Sequence, residues 1–287
     1  MFIVPEKTST ELTAVMDVGG SHVIAALVDA DRVVARADAD IDPHGSADEI
    51  LGAIAGVGLE LGAQPGWTLA FPGPLDYARG IGTFEGVGKF ASIAGLDLRA
   101  ELGARLGAEV RFVDDADAYV MGEWAAGAAR GHARVIGVTL GTGVGAAFLV
   151  DGRPQAGGPG VPAGGNLYPF EYLGRPLEDT VSTRALLASY GDDGVSVRDL
   201  FERARAGEAS ALSVVTSTME HLGRFVAPFI EGFGATVFVV GGSISQSWDL
   251  IEPALRRGLG DTVVDLARSE LLNDAPLIGA ALAARRA

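Results

Sequence analysis

Residues 16–22 read Met-Asp-Val-Gly-Gly-Ser-His, and they join one apolar run, Leu12–Val18, to another, His22–Asp29. Two related stretches follow: TLGTGVG at 139–145 and VVGGSIS at 239–245. In each, an apolar strand runs into a glycine turn. Glycine permits positive φ and brings successive backbone N–H groups close to a ligand, where they form a nest for an anion. Asp17 adds a carboxylate at the end of the first strand, suited to hold Mg²⁺ through water beside phosphate charge. One such turn is as readily a tight hairpin or a strand–helix corner. Three in this order, one with Asp17 and one with Gly141-Thr142-Gly143, point to phosphate. The run GTGVGA also fits the G-x-G-x-x-A dinucleotide fingerprint, but that motif opens a helix, whereas Val144–Val150 reads as a strand.

Working outward, Arg32–Ala39 reads as a third strand of a β-meander. Ser46 is placed to cap a helix running to about Gly62. Trp67–Phe71 is a strand ended by Pro72–Pro74, and a helix near Leu96–Leu106 leads to the strand Glu109–Val113. Another helix begins in the DDADA stretch and continues through MGEWAAGAAR. The pattern then restarts with Arg134–Leu140, a glycine turn and Val144–Val150, which suggests an internal duplication. A Gly/Pro-rich loop over 152–176 precedes helices at Ser182–Tyr190, Val197–Arg205 and Glu208–Gly232. Thr236–Val240 is a strand, and helices at Trp248–Leu259 and Pro276–Ala284 end the chain. Strands alternating with helices indicate an α/β protein. The expected domains are 1–114 with 275–287, carrying the first turn and the acceptor, and 115–274, carrying the nucleotide. Residues 1–10 read as a loose leader.

Composition narrows the function classes. Of 287 residues, 48% are hydrophobic, enough for a sizeable core, and no uninterrupted apolar run reaches the ~18 residues of a membrane span. The N-terminus has no basic region before an apolar stretch, so it does not read as a signal peptide. The expected compartment is the cytoplasm. With no cysteine, disulfides and thiolate sites are excluded. The net charge of −15 and scattered arginines leave no basic stripe for nucleic acid. A phosphate donor meets general repulsion here, so local amide dipoles and a divalent cation must hold it.

Asp114, Asp115 and Asp117 stand at a strand end and helix start. One or two are accounted for by N-capping and the helix dipole. Three so close repel one another, which favours a ligand or a raised pKa for at least one. Such a carboxylate either accepts the proton of an attacking hydroxyl or binds metal, and the residues alone do not separate these uses.

These segments together, with FPGPLD at 71–76, LGTGVGAAFLVDG at 140–152 and GRPLEDTVSTRAL at 174–186, resemble the ROK family of the actin-like kinase superfamily. That family includes bacterial glucokinases, fructokinases and N-acetylhexosamine kinases. The resemblance covers nearly the whole chain. It implies two actin-like (ribonuclease H-like) domains with a cleft between them, ATP and Mg²⁺ as cofactors, and a homodimer. Asp17, Gly19, Gly20 and Ser21 would form the first phosphate turn, and Gly141, Thr142 and Gly143 the second. Gly241 and Gly242 would lie by the adenosine. Asp115 takes the position of the catalytic base, Asp114 that of a sugar-contacting Asn, and Gly73 would line the acceptor pocket. Lys89 lies where relatives often carry a substrate-side Asn.

The departures concern the acceptor. Where the family has a Glu-x-Gly-His motif that grips the sugar, this chain has Gly165 at the Glu position and Tyr168 at the His position. The cysteine-rich zinc loop is absent, so no structural zinc is expected, and Pro169, Phe170 and Tyr172 would pack the shortened loop. Asn166 and Glu171 are candidate replacement polar groups. A site built on hydrogen bonds rejects molecules that leave them unpaired, so the expected acceptor is a small polyol other than an ordinary hexose, such as a cyclitol or C7-cyclitol. The alternatives are an ordinary hexose kinase, a kinase that takes polyphosphate, and a non-catalytic sugar sensor. Family repressors carry an N-terminal helix-turn-helix, for which the residues before the first strand leave too little room.

Overall fold

A computed structural model of the chain describes residues 12–287 apart from Glu85, Val87, Thr142 and Asp193. The leader and Thr142 therefore lie outside the described residues. By its contacts the chain divides into two compact units. One runs to Ala118 and includes Ala280–Ala287; the other is Tyr119–Gly279. Sequence patterns put the divisions at the starts of two helices, whereas the contact division falls a few residues inside each.

In the first unit, β1 (Thr13–Val18), β2 (His22–Asp29) and β3 (Arg32–Asp40) form an antiparallel meander, and β4 (Gly66–Phe71) and β5 (Glu109–Asp114) extend it with parallel pairings. The sheet order is β3-β2-β1-β4-β5. Strands β1 and β4 are buried almost throughout because they are central, whereas edge strand β3 alternates exposed and half-buried residues. Helix α1 (Ala47–Glu60) starts at a capping box: Glu49 N–H donates to Ser46 Oγ, and Ser46 N–H donates to the Glu49 carboxylate. Helix α2 (Leu98–Leu106) starts two residues later than the apolar pattern suggests, because Asp97 accepts from Ala100 N–H and caps it. Their apolar faces share a core with Met16, Trp67 and Leu69.

Helix α3 (Asp115–Ala126) leads to the second unit's sheet of β6 (Arg134–Leu140), β7 (Val144–Val150), β8 (Arg153–Pro154), β9 (Val237–Gly241) and β10 (Asp265–Arg268). Its order, β8-β7-β6-β9-β10, repeats that of the first sheet, with two antiparallel pairings followed by two parallel ones. Strand β10 is unforeseen by pattern: it is four residues long, at an edge, and bounded by Asp265 and Arg268. Helices α4 (Glu178–Val181), α5 (Thr183–Tyr190), α6 (Val197–Arg205), α7 (Ala209–Phe233) and α8 (Trp248–Leu259) follow the loop region, and α9 (Ala275–Arg286) ends the chain. The core of this unit brings Phe148 and Phe238 of the sheet against Leu222 of α7 and Leu255 of α8. The 152–176 segment is less irregular than its composition suggests, with a small hairpin pairing Glu171–Tyr172 with Arg175–Pro176. Phe170 packs edge-on against Phe225 and Phe229 of α7, and Tyr172 against Phe225 and His221. Among the described residues no helix is long and apolar enough to cross a membrane.

Gly122 of α3 sits against the backbone of α9, and a Cβ there would run into the Ala275 carbonyl. Alanine at this position gains about 1 kcal/mol of helix propensity but must force two backbones apart, a cost of about 3 kcal/mol. Gly122→Ala is therefore predicted to lower unfolding free energy by about 2 kcal/mol in a urea titration.

Candidate active site

Parallel pairing brings one set of residues together in the first unit. Asp17 of β1 pairs with Ala70 of β4, and Phe71 of β4 pairs with Asp114 of β5. The carboxyl ends of three adjacent strands therefore carry Asp17, the Gly73 loop and Asp114–Asp115, at the sheet edge where α/β proteins bind ligands. The first glycine turn closes with Gly19 N–H donating to His22 O at 2.8 Å.

Asp114 organises this edge. Its Oδ1 accepts N–H bonds from Ala116 at 3.0 Å and Asp117 at 3.1 Å, which makes it the cap of α3. Its Oδ2 accepts the Tyr77 hydroxyl at 2.7 Å. Asp114 is thus engaged on both oxygens, and its geometry is that of a scaffold for the neighbouring Asp115. Tyr77 has no signal in the sequence. It follows the strand Leu75–Asp76 of a short hairpin with Ile81–Gly82, 37 residues before Asp114, and no local pattern marks it. The same hydroxyl lies 3.3 Å from where a Gly73 Cβ would sit, so a side chain at Gly73 would crowd it.

Lys89 is half-buried, and its Nζ lies 5.7 Å from the Phe90 ring centroid. Phe90 is fully buried among Phe71 and Phe84, and its N–H donates to Pro43 O. A Cβ on Gly20 would be 3.5 Å from both Cδ and Nζ of Lys89, so the lysine packs over the first glycine turn.

These carboxylates are crowded and poorly solvated. Burial, then the charge of Asp115, pushes Asp17 up to about 7, with His22 working against them. Burial, then Asp114 and Asp115, pushes Asp117 up to about 8. Burial and Asp114 also raise Asp115, opposed by the Lys89 ammonium and by the Ala116 N–H. The Tyr77 hydroxyl is pushed up by burial and by Asp114, which keeps it a donor. Among the described residues no three acidic or histidine side chains converge into a metal cage. The chemistry suits an ion held by one or two carboxylates together with phosphate oxygens, as Mg²⁺ is, because a cation beside Asp17 relieves the crowding.

The second unit holds the other turns. Strands β6 and β9 pair in parallel with Gly241 opposite Thr139, so the second and third glycine turns share one sheet end. At the second turn, Thr183 donates both its N–H and its hydroxyl to Gly141 O, at 2.9 and 2.6 Å. Val144 N–H donates to Glu178 Oε1 at 2.8 Å, and a Cβ on Gly143 would strike that carboxylate. Glu178 carries no role in the sequence patterns, yet it fixes this turn. At the third turn Gly242 has φ 84°, and a Cβ there would meet Leu140 O. Asn166 lies in the 152–176 segment and donates from Nδ2 to Gly164 O, while Tyr168 is 48% exposed. Gly165 has φ 72°, and its Cβ would be 2.6 Å from Gln155 O.

The raised carboxyls have a consequence for stability. Asp17 and Asp117 bind protons more tightly folded than unfolded, so the folded chain carries the extra protons between about pH 4 and 8. Their contribution is fully present below about pH 4 and is lost as pH rises through 7 and 8. His221, lowered by burial, works the other way. The melting temperature of the metal-free protein is predicted to fall between pH 5 and 9, and Asp117→Asn to flatten that fall. A profile that rises in the wild type and is unchanged in the variant would contradict the assignment.

A sequence model of the ROK family matches residues 13–287. A glucokinase of Thermotoga maritima is 26% identical, over 93% of this chain and 95% of its own. The crystal structure of a ROK family glucokinase from Streptomyces griseus, in complex with glucose and AMPPNP, superposes with a TM-score of 0.78 at 25% identity, over 96% of this chain and 100% of that one. An inorganic polyphosphate/ATP-glucomannokinase from Arthrobacter superposes with a TM-score of 0.70 at 26% identity, over 96% and 99%.

Proposed function

The chain belongs to the ROK family and is a carbohydrate kinase, and on that premise we propose that it transfers the γ-phosphoryl group of ATP to a primary hydroxyl of a small sugar-like polyol, with Asp115 as general base. The observation that carries this reading is the α3 start. Asp114 and Tyr77 hold the helix cap, and Asp115 is presented within the fields of Asp17 and Lys89 with its proton affinity raised. A base with a moderately raised pKa takes a hydroxyl proton more readily than an ordinary carboxylate. Lys89 offsets part of that rise. As the acceptor proton passes to Asp115, the oxygen attacks phosphorus and ADP departs. Asp17 would hold Mg²⁺ through water, and the ion would neutralise phosphate charge. Gly141 and Gly143 are assigned to the phosphates of the donor, and Gly241 and Gly242 to its adenosine. Gly73 and Lys89 are assigned to the acceptor, with Asn166 and Tyr168 as further acceptor contacts.

The acceptor reading goes beyond the hexose kinases that the chain resembles. At Gly165, the position of the family's sugar-gripping Glu, the backbone has a left-handed φ and no room for a Cβ. A glutamate does not fit this backbone, so position 165 offers no such grip, and we take that to favour a cyclitol or C7-cyclitol. The hexose alternative draws support from the glucokinase names among the relatives.

Asp115→Asn is predicted to lower kcat by about 100-fold or more, with acceptor binding retained in calorimetry; turnover near the wild-type rate would remove the base assignment. In a coupled ADP assay across glucose, N-acetylhexosamines, inositols and C7-cyclitols, kcat/KM is predicted to be highest for a cyclitol. Highest kcat/KM on glucose would establish the hexose alternative.

A further inference from the structure

Glu123 of α3 is fully buried and takes no part in the proposed chemistry. Its Oε2 accepts N–H bonds from Ala128 at 2.8 Å and Glu270 at 3.2 Å, and its Oε1 accepts from Leu271 N–H at 2.9 Å and from the Ser269 hydroxyl at 2.5 Å. Backbone N–H groups only donate, so three of these bonds make both Glu123 oxygens acceptors, and the Ser269 hydroxyl donates the fourth.

That fixes the sense of a longer chain of bonds. The single Ser269 hydroxyl proton is committed to Glu123, so Ser269 Oγ must accept from its other partners. One is the Leu272 N–H at 3.2 Å, and the other is the Tyr119 hydroxyl at 2.7 Å. The Tyr119 proton is committed in turn, which leaves its oxygen an acceptor for Gly242 N–H at 3.4 Å. The series runs from the third glycine turn to a buried carboxylate with every donor pointing the same way, an arrangement in which each bond polarises the next. The Tyr119 ring also occupies the space that a Gly241 Cβ would need. The residues come from α3, β9 and the segment after β10, and Tyr119 and Ser269 are 150 positions apart.

The Gly242 amide therefore points inward to Tyr119. An amide so engaged is not part of an anion nest, which sets this turn apart from the phosphate turns and suits it to the uncharged nucleoside end of the donor. We propose that Tyr119 is a positioning residue for nucleotide binding: through Ser269 and Glu123 it holds the Gly241–Gly242 turn in the conformation that receives the nucleoside. The inference rests on the reading of this turn as the adenosine site.

The test measures AMPPNP affinity by calorimetry, inhibition by adenosine against ATP, and steady-state kinetics for the wild type, Tyr119→Phe and Ser269→Ala. Removing one net hydrogen bond from the relay is expected to weaken AMPPNP and adenosine and to raise KM for ATP by about fivefold to tenfold. KM for the acceptor is expected to stay within about twofold, since no bond of the relay reaches a residue assigned to the acceptor, whereas general loosening would move both constants. Ser269→Ala breaks the same relay from its far side, so it carries the test should Tyr119→Phe fold poorly. Wild-type binding of AMPPNP with unchanged affinity in both variants would overturn the inference alone. No AMPPNP binding by the wild type would overturn the nucleotide reading of the turn and the inference with it.

Discussion

Asp114 joins β5 to α3, and both its oxygens are engaged: one caps the helix through two backbone N–H bonds, and the other takes the Tyr77 hydroxyl. The rest of the candidate site follows from that. A helix capped at this residue must begin at Asp115, so the next carboxylate is set at the strand end, level with Asp17 two strands away. An aspartate suits this position because a carboxylate accepts the cap bonds and the phenol together. Asp114, which the family resemblance assigns to the acceptor, also holds the start of the helix that carries Asp115.

The cost of the arrangement is charge. Asp17, Asp114, Asp115 and Asp117 are brought close in partly buried surroundings, with the Lys89 ammonium opposing the rise at Asp115. Burial and mutual repulsion raise three of the four, which lessens the negative charge gathered at this strand end in a chain whose net charge is already −15. The second unit relies on hydrogen bonds instead. Its glycine turns are shaped by hydrogen bonds from Thr183 to Gly141, from Val144 to Glu178 and from Gly242 to Tyr119.

Much of this is legible in the chain itself. The glycine turns, the Ser46 cap and the bounds of Trp248–Leu259 are local features in which propensity, capping and periodicity agree. The repeat of strand, glycine turn and strand anticipates two sheets of like order. What the sequence hides is nonlocal. Tyr77 meets Asp114 across 37 residues, Val144 meets Glu178 across 34, and Tyr119 meets Ser269 across 150. No periodicity links such pairs, since each joins elements that only the folded chain brings together. Strand β10 escapes notice for a related reason: its four residues are held by their pairing with β9 and carry no apolar alternation of their own. Gly165 reads in sequence as a lost side chain; its left-handed backbone, with no room for a Cβ, is visible only in three dimensions.

Asp115 is assigned as a base, a role that requires the phosphoryl group to pass directly from ATP to the acceptor oxygen. The stereochemistry at phosphorus tests this most directly. With ATP made chiral at the γ-phosphorus by oxygen isotopes, and with the acceptor of highest kcat/KM, a single in-line transfer inverts the configuration in the phosphorylated product. Retention would mean two transfers through a phosphorylated enzyme, with Asp115 or another carboxylate as nucleophile, and would contradict the assignment of Asp115 as the base.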